Sequence, residues 1–243
     1  MKNYSVEFYK SRTDSLISAK EIVPFIIENF APKSVLDVGC GTGEFLYVFT
    51  QFGVNDIIGV DGEWVPKSML KIPENNFKAI DLNKHFDLSR KFDLVISLEV
   101  AEHLRPESAK GFVNSLIKHS DIILFSAAIP YQGGVNHFNE QWPEYWAKIF
   151  KDFNYLPLDI LRELIWDNPK VSYWYKQNAI FYIKEDLIKD NEFLRVKFEQ
   201  KKNSPLNLVH PELFIKNMKE KKFFQKMLTK IQSKISSFFK NNS

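Results

Sequence analysis

The sequence predicts an α/β protein built on a mostly parallel sheet. Short apolar runs recur at 34–38, 56–60, 77–80, 92–97 and 121–125, and the segments between them are long enough for the helical crossovers that parallel strands require. These runs are apolar nearly throughout instead of alternating, as in strands covered on both faces. A glycine-rich turn follows the first of them, at 39–43.

The elements follow in order. Residues 15–30 place Leu16, Ile17, Ile22, Phe25, Ile26 and Phe30 at a spacing that predicts a helix over the core, with Pro24 a local irregularity. The five runs come next as strands. Two further strands near 155–160 and 179–183 bring the sheet to about seven. Between those two lies a stretch rich in Trp and Tyr, expected to fold over one sheet edge. It reads either as a hydrophobic plug or as an aromatic wall in which Trp166, Tyr173 and Trp174 face a ligand. The expected organisation is a main domain over 1–185 and a helical extension over 186–243.

Composition narrows the class. With 243 residues, 44% of them hydrophobic and 15% aromatic, the chain can bury a single core, which excludes a fibrous or wholly disordered protein. One cysteine, Cys40, rules out an internal disulfide and a multi-thiolate zinc site. The N-terminal stretch lacks the apolar core of a secretory signal, and no run reaches the ~18 uncharged residues of a spanning helix, so the expected location is cytoplasmic. The net charge of +3 is unevenly spread. From Lys216 onward eight Lys face one Glu, a net +7, and the first 215 residues carry 25 basic against 29 acidic side chains, a net −4. A globally basic nucleic-acid surface is therefore not expected.

The first strand ends Leu36-Asp37-Val38-Gly39-Cys40-Gly41-Thr42-Gly43. Alternate glycines let bare backbone approach a ligand, and the helix that follows points its first amides at it. A triphosphate loop would continue Gly-Lys-Ser/Thr, but Glu44 follows Gly43. A dinucleotide pyrophosphate would be repelled by Asp37. An ammonium would suit Asp37. Asp61, before Gly62 at the end of the second strand, can accept ribose hydroxyls, and Asp81 can accept an exocyclic amine while Leu82 packs on the base. Each acid alone could equally cap a helix. Together, in chain order, they describe S-adenosylmethionine.

VLDVGCGTG, GVDG, the Asp81-Leu82 pair and FDLVISLEVAEHL resemble the successive motifs of class I S-adenosylmethionine-dependent methyltransferases over roughly residues 30–130, with weaker similarity to about residue 183. The resemblance implies a Rossmann-like seven-stranded sheet of order 3-2-1-4-5-7-6 with helices on both faces. It implies S-adenosylmethionine over the carboxyl ends of strands 1, 2 and 4, S-adenosylhomocysteine as product, and a binding set of Asp37, Gly39, Cys40, Gly41, Gly43, Asp61, Gly62, Asp81 and Leu82. Leu98 and Glu99 would border the methionine portion. Cys40 is read as a packing residue of the turn and not as a nucleophile.

His103, after the fourth strand, is the candidate general base for deprotonating an attacking hydroxyl, or else a loop-fixing residue. His137 lies in the polar loop after the fifth strand, which looks similar to the acceptor loop of bacterial methyltransferases associated with cell-surface glycan synthesis. Alternatively Asn139 caps a helix starting near Gln141. Glu99, Glu102, His103 and His137 also resemble the metal group of methyltransferases acting on RNA 3′ ends or quinone precursors, against the plainer reading of acids at a helix start. The expectation adopted is no metal.

The expected function is methyl transfer to an oxygen of a small polar acceptor: a sugar, sugar nucleotide or surface-glycan precursor. Metal-assisted methylation of RNA or a quinone precursor, and a non-catalytic cofactor-binding subunit, are the alternatives. In the tail, Phe224, Met227, Leu228, Ile231, Ile235 and Phe238 follow helical spacing, while Lys222, Lys226, Lys230 and Lys234 recur every four residues. Such a basic amphipathic helix suits contact with the inner face of a membrane, self-association, or docking on the protein's own core.

Overall fold

The computed structural model describes residues 13–241. After α1 (Thr13–Phe30), strand β1 (Ser34–Val38) leads into α2 (Glu44–Gln51), β2 (Asp56–Asp61), β3 (Phe77–Ala79) and β4 (Leu94–Leu98). There follow α3 (Ala109–His119), β5 (Ile122–Ser126), α4 (Pro143–Lys151), β6 (Tyr155–Leu158), α5 (Arg162–Ile165), α6 (Tyr173–Asn178) and β7 (Ile180–Lys184). Helices α7 (Glu185–Asp190), α8 (Glu192–Lys201) and α9 (Pro211–Asn241) close the chain.

The seven strands form one sheet of order β3-β2-β1-β4-β5-β7-β6. All neighbours are parallel except β7, which runs antiparallel to both β5 and β6. Side chains alternate across each strand and sort into two apolar clusters. Val35, Leu94, Ile96, Leu124 and Phe181 pack with Ile22 and Ile26 of α1 and Leu46 and Phe49 of α2. Leu36, Val95, Ile123, Phe125 and Tyr182 pack on the opposite face with Phe112 and Leu116 of α3 and Trp146 and Phe150 of α4. This double burial is why the strand segments read as continuous apolar runs.

Chain order reverses between β1 and β4, which opens a crevice at their carboxyl ends, the place where open α/β sheets bind ligands. The Asp93 carboxylate accepts from Lys33 N at 2.7 Å and Ser34 N at 3.0 Å, tying the start of β1 to the start of β4. Arg162 is buried, paired with Asp159 at 2.6 Å, and donates to the carbonyls of Gln177 and Leu206, both at 2.8 Å. Its guanidinium thereby fixes the end of α6 beside β7. The chain divides into two compact units between Leu208 and Val209. Ile188 of α7 and Leu194 of α8 are buried in the first apolar cluster, so both helices belong to the first unit. No described helix is long and apolar enough to cross a membrane.

Candidate active site

The glycine turn delivers the geometry its sequence calls for. Gly39, Gly41 and Gly43 have φ of +85°, +54° and +87°. At Gly39 a Cβ would stand 2.2 Å from Val100 Cγ2, so the left-handed backbone and the close approach of the β4 exit both demand glycine. Gly39 N and Cys40 N donate to Val60 O at 2.7 and 3.1 Å, laying the turn along the end of β2. Cys40 packs its sulfur against Gly59, where a Cβ would meet it at 2.7 Å. Burial, then Asp37, Asp61 and Glu44, push its thiol pKa well up, which leaves it inert as a nucleophile.

Beside this turn lies a small cleft of about 50 Å³ lined by Asp37, Gly39, Cys40, Gly41, Leu98 and Glu99 of the expected set, together with Ser15, Thr42, Glu44, Phe45 and Tyr175. The last five were not singled out from sequence; an acid in the first turn of the helix after the glycines was the one available signal, at Glu44. Among the described residues, no Lys, Arg or His lines the cleft. Asp37 is 4% exposed, and burial, followed by the nearby carboxylates of Asp61 and Glu44, holds its pKa well above the ordinary carboxylate range. Thr42 Oγ1 donates to the Glu44 carboxylate. Buried acids clustered in this way favour a positively charged ligand over an anion.

The remaining expected residues are not among those that line the cleft. The Asp61 carboxylate accepts from Gly41 N at 2.8 Å and Gly62 N at 2.6 Å, pinning the turn to the tip of β2. A carboxylate offers about four acceptor positions, so these bonds are compatible with ribose hydroxyls as further donors. Gly62 lies against the Trp64 ring, which a Cβ would meet at 2.2 Å. Asp81 is exposed beyond β3, accepting from Asn83 N at 3.1 Å, and Leu82 is buried in the second apolar cluster. Gly43 begins α2. In the aromatic stretch, Trp166, Tyr173 and Trp174 are only half-buried, and Tyr175 is the ring that reaches the cleft.

His103 and His137 do come together. Their rings meet edge to face with centroids 4.7 Å apart. His103 Nδ1 bonds to Asn136 O at 3.2 Å and His137 Nδ1 to Glu140 Oε1 at 2.9 Å. A carbonyl and a carboxylate only accept, so both Nδ1 atoms carry a proton, and Nε2 is the nitrogen each ring has left to offer as an acceptor. Glu140 also accepts from Tyr131 N and Gly133 N at 2.8 and 2.9 Å, and Glu102 O accepts from Phe138 N and Asn139 N at 2.8 and 3.0 Å. The loop is thereby fastened to the β4 exit. At Gly134 a Cβ would fall 2.2 Å from His137 Nε2, so this glycine makes room for the ring.

One ligand atom from each of Glu102, His103 and His137 lies within 4.8 Å of the others, and Glu102 is buried. Glu99 stands outside this group, its carboxylate bonded to the amides of Gln132 and Asn178. Asn139 does not cap the next helix: α4 starts at Pro143, with Trp142 in the cap position and no side-chain bond there.

A family model described as "Methyltransferase domain" matches residues 10–168. A ubiquinone biosynthesis O-methyltransferase of Bartonella bacilliformis is 29% identical over 87 residues, 33% of this chain and 35% of that protein. The chain thus matches about a third of that relative's length. Among solved structures, magnesium protoporphyrin IX methyltransferase (ChlM) from Synechocystis PCC 6803 with bound SAH is 18% identical over 74% of this chain and 88% of its own, with a TM-score of 0.54. The plantazolicin methyltransferase BpumL, in complex with a desmethyl plantazolicin analog and SAH, is 16% identical over 74% and 89%, with a TM-score of 0.52. These two likenesses concern the fold.

Proposed function

The chain belongs to the methyltransferase-domain family, and from that premise we propose that it transfers the methyl group of S-adenosylmethionine to an oxygen of a small polar acceptor, a sugar, sugar nucleotide or other surface-glycan precursor. The observation that carries the reading is the cleft at the β1/β4 switch point, where Asp37, Glu44 and Glu99 gather among the described lining residues. S-Adenosylmethionine brings an ammonium and a sulfonium to such a site together with one carboxylate, and so enters as a net cation. Asp37 and Glu99 serve the methionine end and Asp61 the ribose, with Asp81 and Leu82 at the base. Oxygen as the attacked atom draws support from the O-methyltransferase relative.

In this reading an acceptor hydroxyl sits against His103 Nε2. As its oxygen lone pair forms the new bond to the methyl carbon, the carbon–sulfur pair returns to sulfur, and His103 takes the hydroxyl proton. S-Adenosylhomocysteine and the methyl ether leave. Positioning of nucleophile, methyl and sulfur in line supplies the rest of the catalysis. His137, aligned by Glu140, shapes the acceptor side. Two measurements test this. Product mass from a screen of glycan and nucleotide-linked acceptors with labelled cofactor identifies the class, and a screen in which only RNA or quinone precursors are methylated rejects it. His103→Ala leaves cofactor affinity intact and lowers turnover by roughly 10² to 10⁴, the range for a general base; unchanged turnover removes His103 from the chemistry.

A second reading is favoured by the meeting of Glu102, His103 and His137. One carboxylate and two imidazoles whose Nδ1 protons are already committed suit a divalent cation. Such an ion, when bound, would act as a Lewis acid on the acceptor oxygen. Glu102, His103 and His137 would hold it, with Asn136 O and Glu140 orienting the two rings.

The place of work in the first reading is the inner face of a membrane. Helix α9 exposes Met227, Leu228 and Ile231 alongside lysines at 216, 219, 221, 222 and 226, a combination that favours anionic lipid surfaces.

A further inference from the structure

The loop between β5 and α4 presents an aromatic ring to solvent from a backbone that is held on both sides. Phe138 is 64% exposed, yet Phe138 N and Asn139 N both donate to Glu102 O, at 2.8 and 3.0 Å. Asn136 O accepts from His103 Nδ1 at 3.2 Å, so residues 136–138 run alongside Glu102 and His103. Gln132 N donates to Ile129 O at 3.0 Å and Gln141 N to Ala128 O at 3.1 Å, while Glu140 takes Tyr131 N and Gly133 N. Tyr131 and Asn136 keep left-handed φ of +69° and +59°, a conformation that non-glycine residues hold only where their surroundings enforce it. The exposure of Phe138 is therefore built into a fastened loop.

Tyr131, Val135 and Trp142 of the same loop are exposed as well, so apolar surface is concentrated here, as it is at interaction sites. The polar side chains interleaved with them include Asn136, Glu140 and Gln141, and residues 131–142 contain no Lys or Arg. Amides and a carboxylate beside a ring suit hydroxyl groups. A loop without a basic side chain brings nothing of its own to a phosphate, and Glu140 disfavours an anionic lipid head or a nucleic-acid backbone. A sugar ring has the matching chemistry: C–H bonds on a face that packs against an aromatic ring, and hydroxyls around its edge. A phenyl group with two torsions on a fixed backbone gives up little conformational freedom when it stacks.

We propose that Phe138 is a specificity-determining residue, the platform on which the uncharged sugar ring of the acceptor stacks, an inference that deepens the function proposed above and rests on it. Because residues 136–138 lie along Glu102 and His103, a sugar on Phe138 borders the pair of rings formed by His103 and His137. In a sugar nucleotide or another phosphorylated glycan precursor the same contact reads the sugar and not the phosphate.

Saturation-transfer NMR on the intact chain, in the presence of S-adenosylhomocysteine, tests this with the methyl glycosides of glucose, galactose, mannose and rhamnose as probes and catechol as a planar aromatic comparator. At least one glycoside should bind, with transfer strongest at the C–H protons of one sugar face. Phe138→Ala should weaken that glycoside by about threefold to tenfold, the range for one aromatic contact. Phe138→Tyr should restore it, and S-adenosylhomocysteine affinity, read by calorimetry, should be the same in all three proteins. A wild type that binds none of the glycosides, or a glycoside that binds wild type and Phe138→Ala equally, overturns the platform. So does binding of catechol alone, lost in Phe138→Ala, which would make the ring a site for planar aromatics. If Phe138→Ala fails to fold, Phe138→Leu, which keeps apolar bulk without the ring, decides by the same measurement. Each of these failures leaves the proposed cofactor in place as long as S-adenosylhomocysteine binds; a wild-type chain that does not bind it overturns the proposed function, and the platform with it.

Discussion

Asp37 offers the sharpest test of the charge logic, because its environment fixes the sign of a pH effect. Burial, then the Asp61 and Glu44 carboxylates, hold its pKa in the folded protein well above the ordinary aspartate value of 3.8. Between 3.8 and that raised value the folded protein binds one more proton than the unfolded chain, so Asp37 makes folding stability fall as pH rises through the interval. A cationic ligand reverses the preference by favouring the ionised form. Cofactor affinity should therefore increase with pH, by about tenfold per unit while one proton is released on binding, and level off above the raised pKa. An ammonium about 5 Å from Asp37 at an effective dielectric near 20 contributes about 3 kcal/mol. Asp37→Asn loses that attraction but also the repulsion from Asp61 and Glu44, so the expected weakening at neutral pH is about tenfold to a hundredfold. Calorimetry in two buffers of different ionisation heat counts the proton directly. Wild-type affinity that is flat with pH and releases no proton, or an Asp37→Asn variant that keeps the pH slope, would refute the reasoning.

Three more outcomes follow from particular contacts. Gly134→Ala puts a methyl group where His137 Nε2 now approaches to 2.2 Å of the Cβ position, so turnover should fall at least about tenfold with cofactor affinity unchanged; full activity would mean that the ring has no acceptor-side role. His119 is fully buried, accepts from Leu88 N at 2.8 Å through Nε2, and has its pKa lowered, chiefly by burial, from 6.5. The native state then binds fewer protons than the unfolded chain, so stability falls as pH drops through 6.5, and urea midpoints at pH 7 and 5 should converge on those of His119→Gln at the acid end; parallel curves would contradict this. Deleting residues 216–243 should abolish salt-sensitive co-sedimentation with anionic liposomes and spare cofactor affinity, whereas equal sedimentation of both forms would remove the lipid role of α9.

What could be read in advance was what is local. The strands were legible because both faces of the sheet are covered, which makes Val35 and Leu36, or Leu124 and Phe125, consecutive apolar residues serving opposite clusters. The turn was legible because positive φ at Gly39, Gly41 and Gly43 restricts the sequence at each position. Facing, in contrast, is a tertiary property. Nothing local separates Tyr175, which lines the cleft, from Tyr173 and Trp174 one turn or less away. The amides on Glu99 come from 33 and 79 residues further along the chain, and Gln or Asn has no pattern that announces a buried contact. Asn139 had the composition of a cap, but Pro143 starts the helix instead, its missing N–H costing nothing at that position.

The two readings of the histidine pair compete for the same atoms, and that makes them separable. With both Nδ1 protons committed to Asn136 O and Glu140, the only lone pairs the rings can offer are at Nε2. A lone pair on His103 that accepts the hydroxyl proton cannot at the same moment be donated to a cation. If His103 is the base, turnover should lose activity on the acid side as its imidazole becomes protonated, and that limb should stay fixed when magnesium or manganese is raised or removed. If Glu102, His103 and His137 hold a divalent ion, protons and metal compete for the same nitrogens. The acid limb should then move to lower pH as metal concentration rises, and dialysis against chelator should abolish turnover until metal is restored. The glycan reading with His103 as base requires the first pattern; a limb that follows metal concentration assigns the cluster to the ion instead.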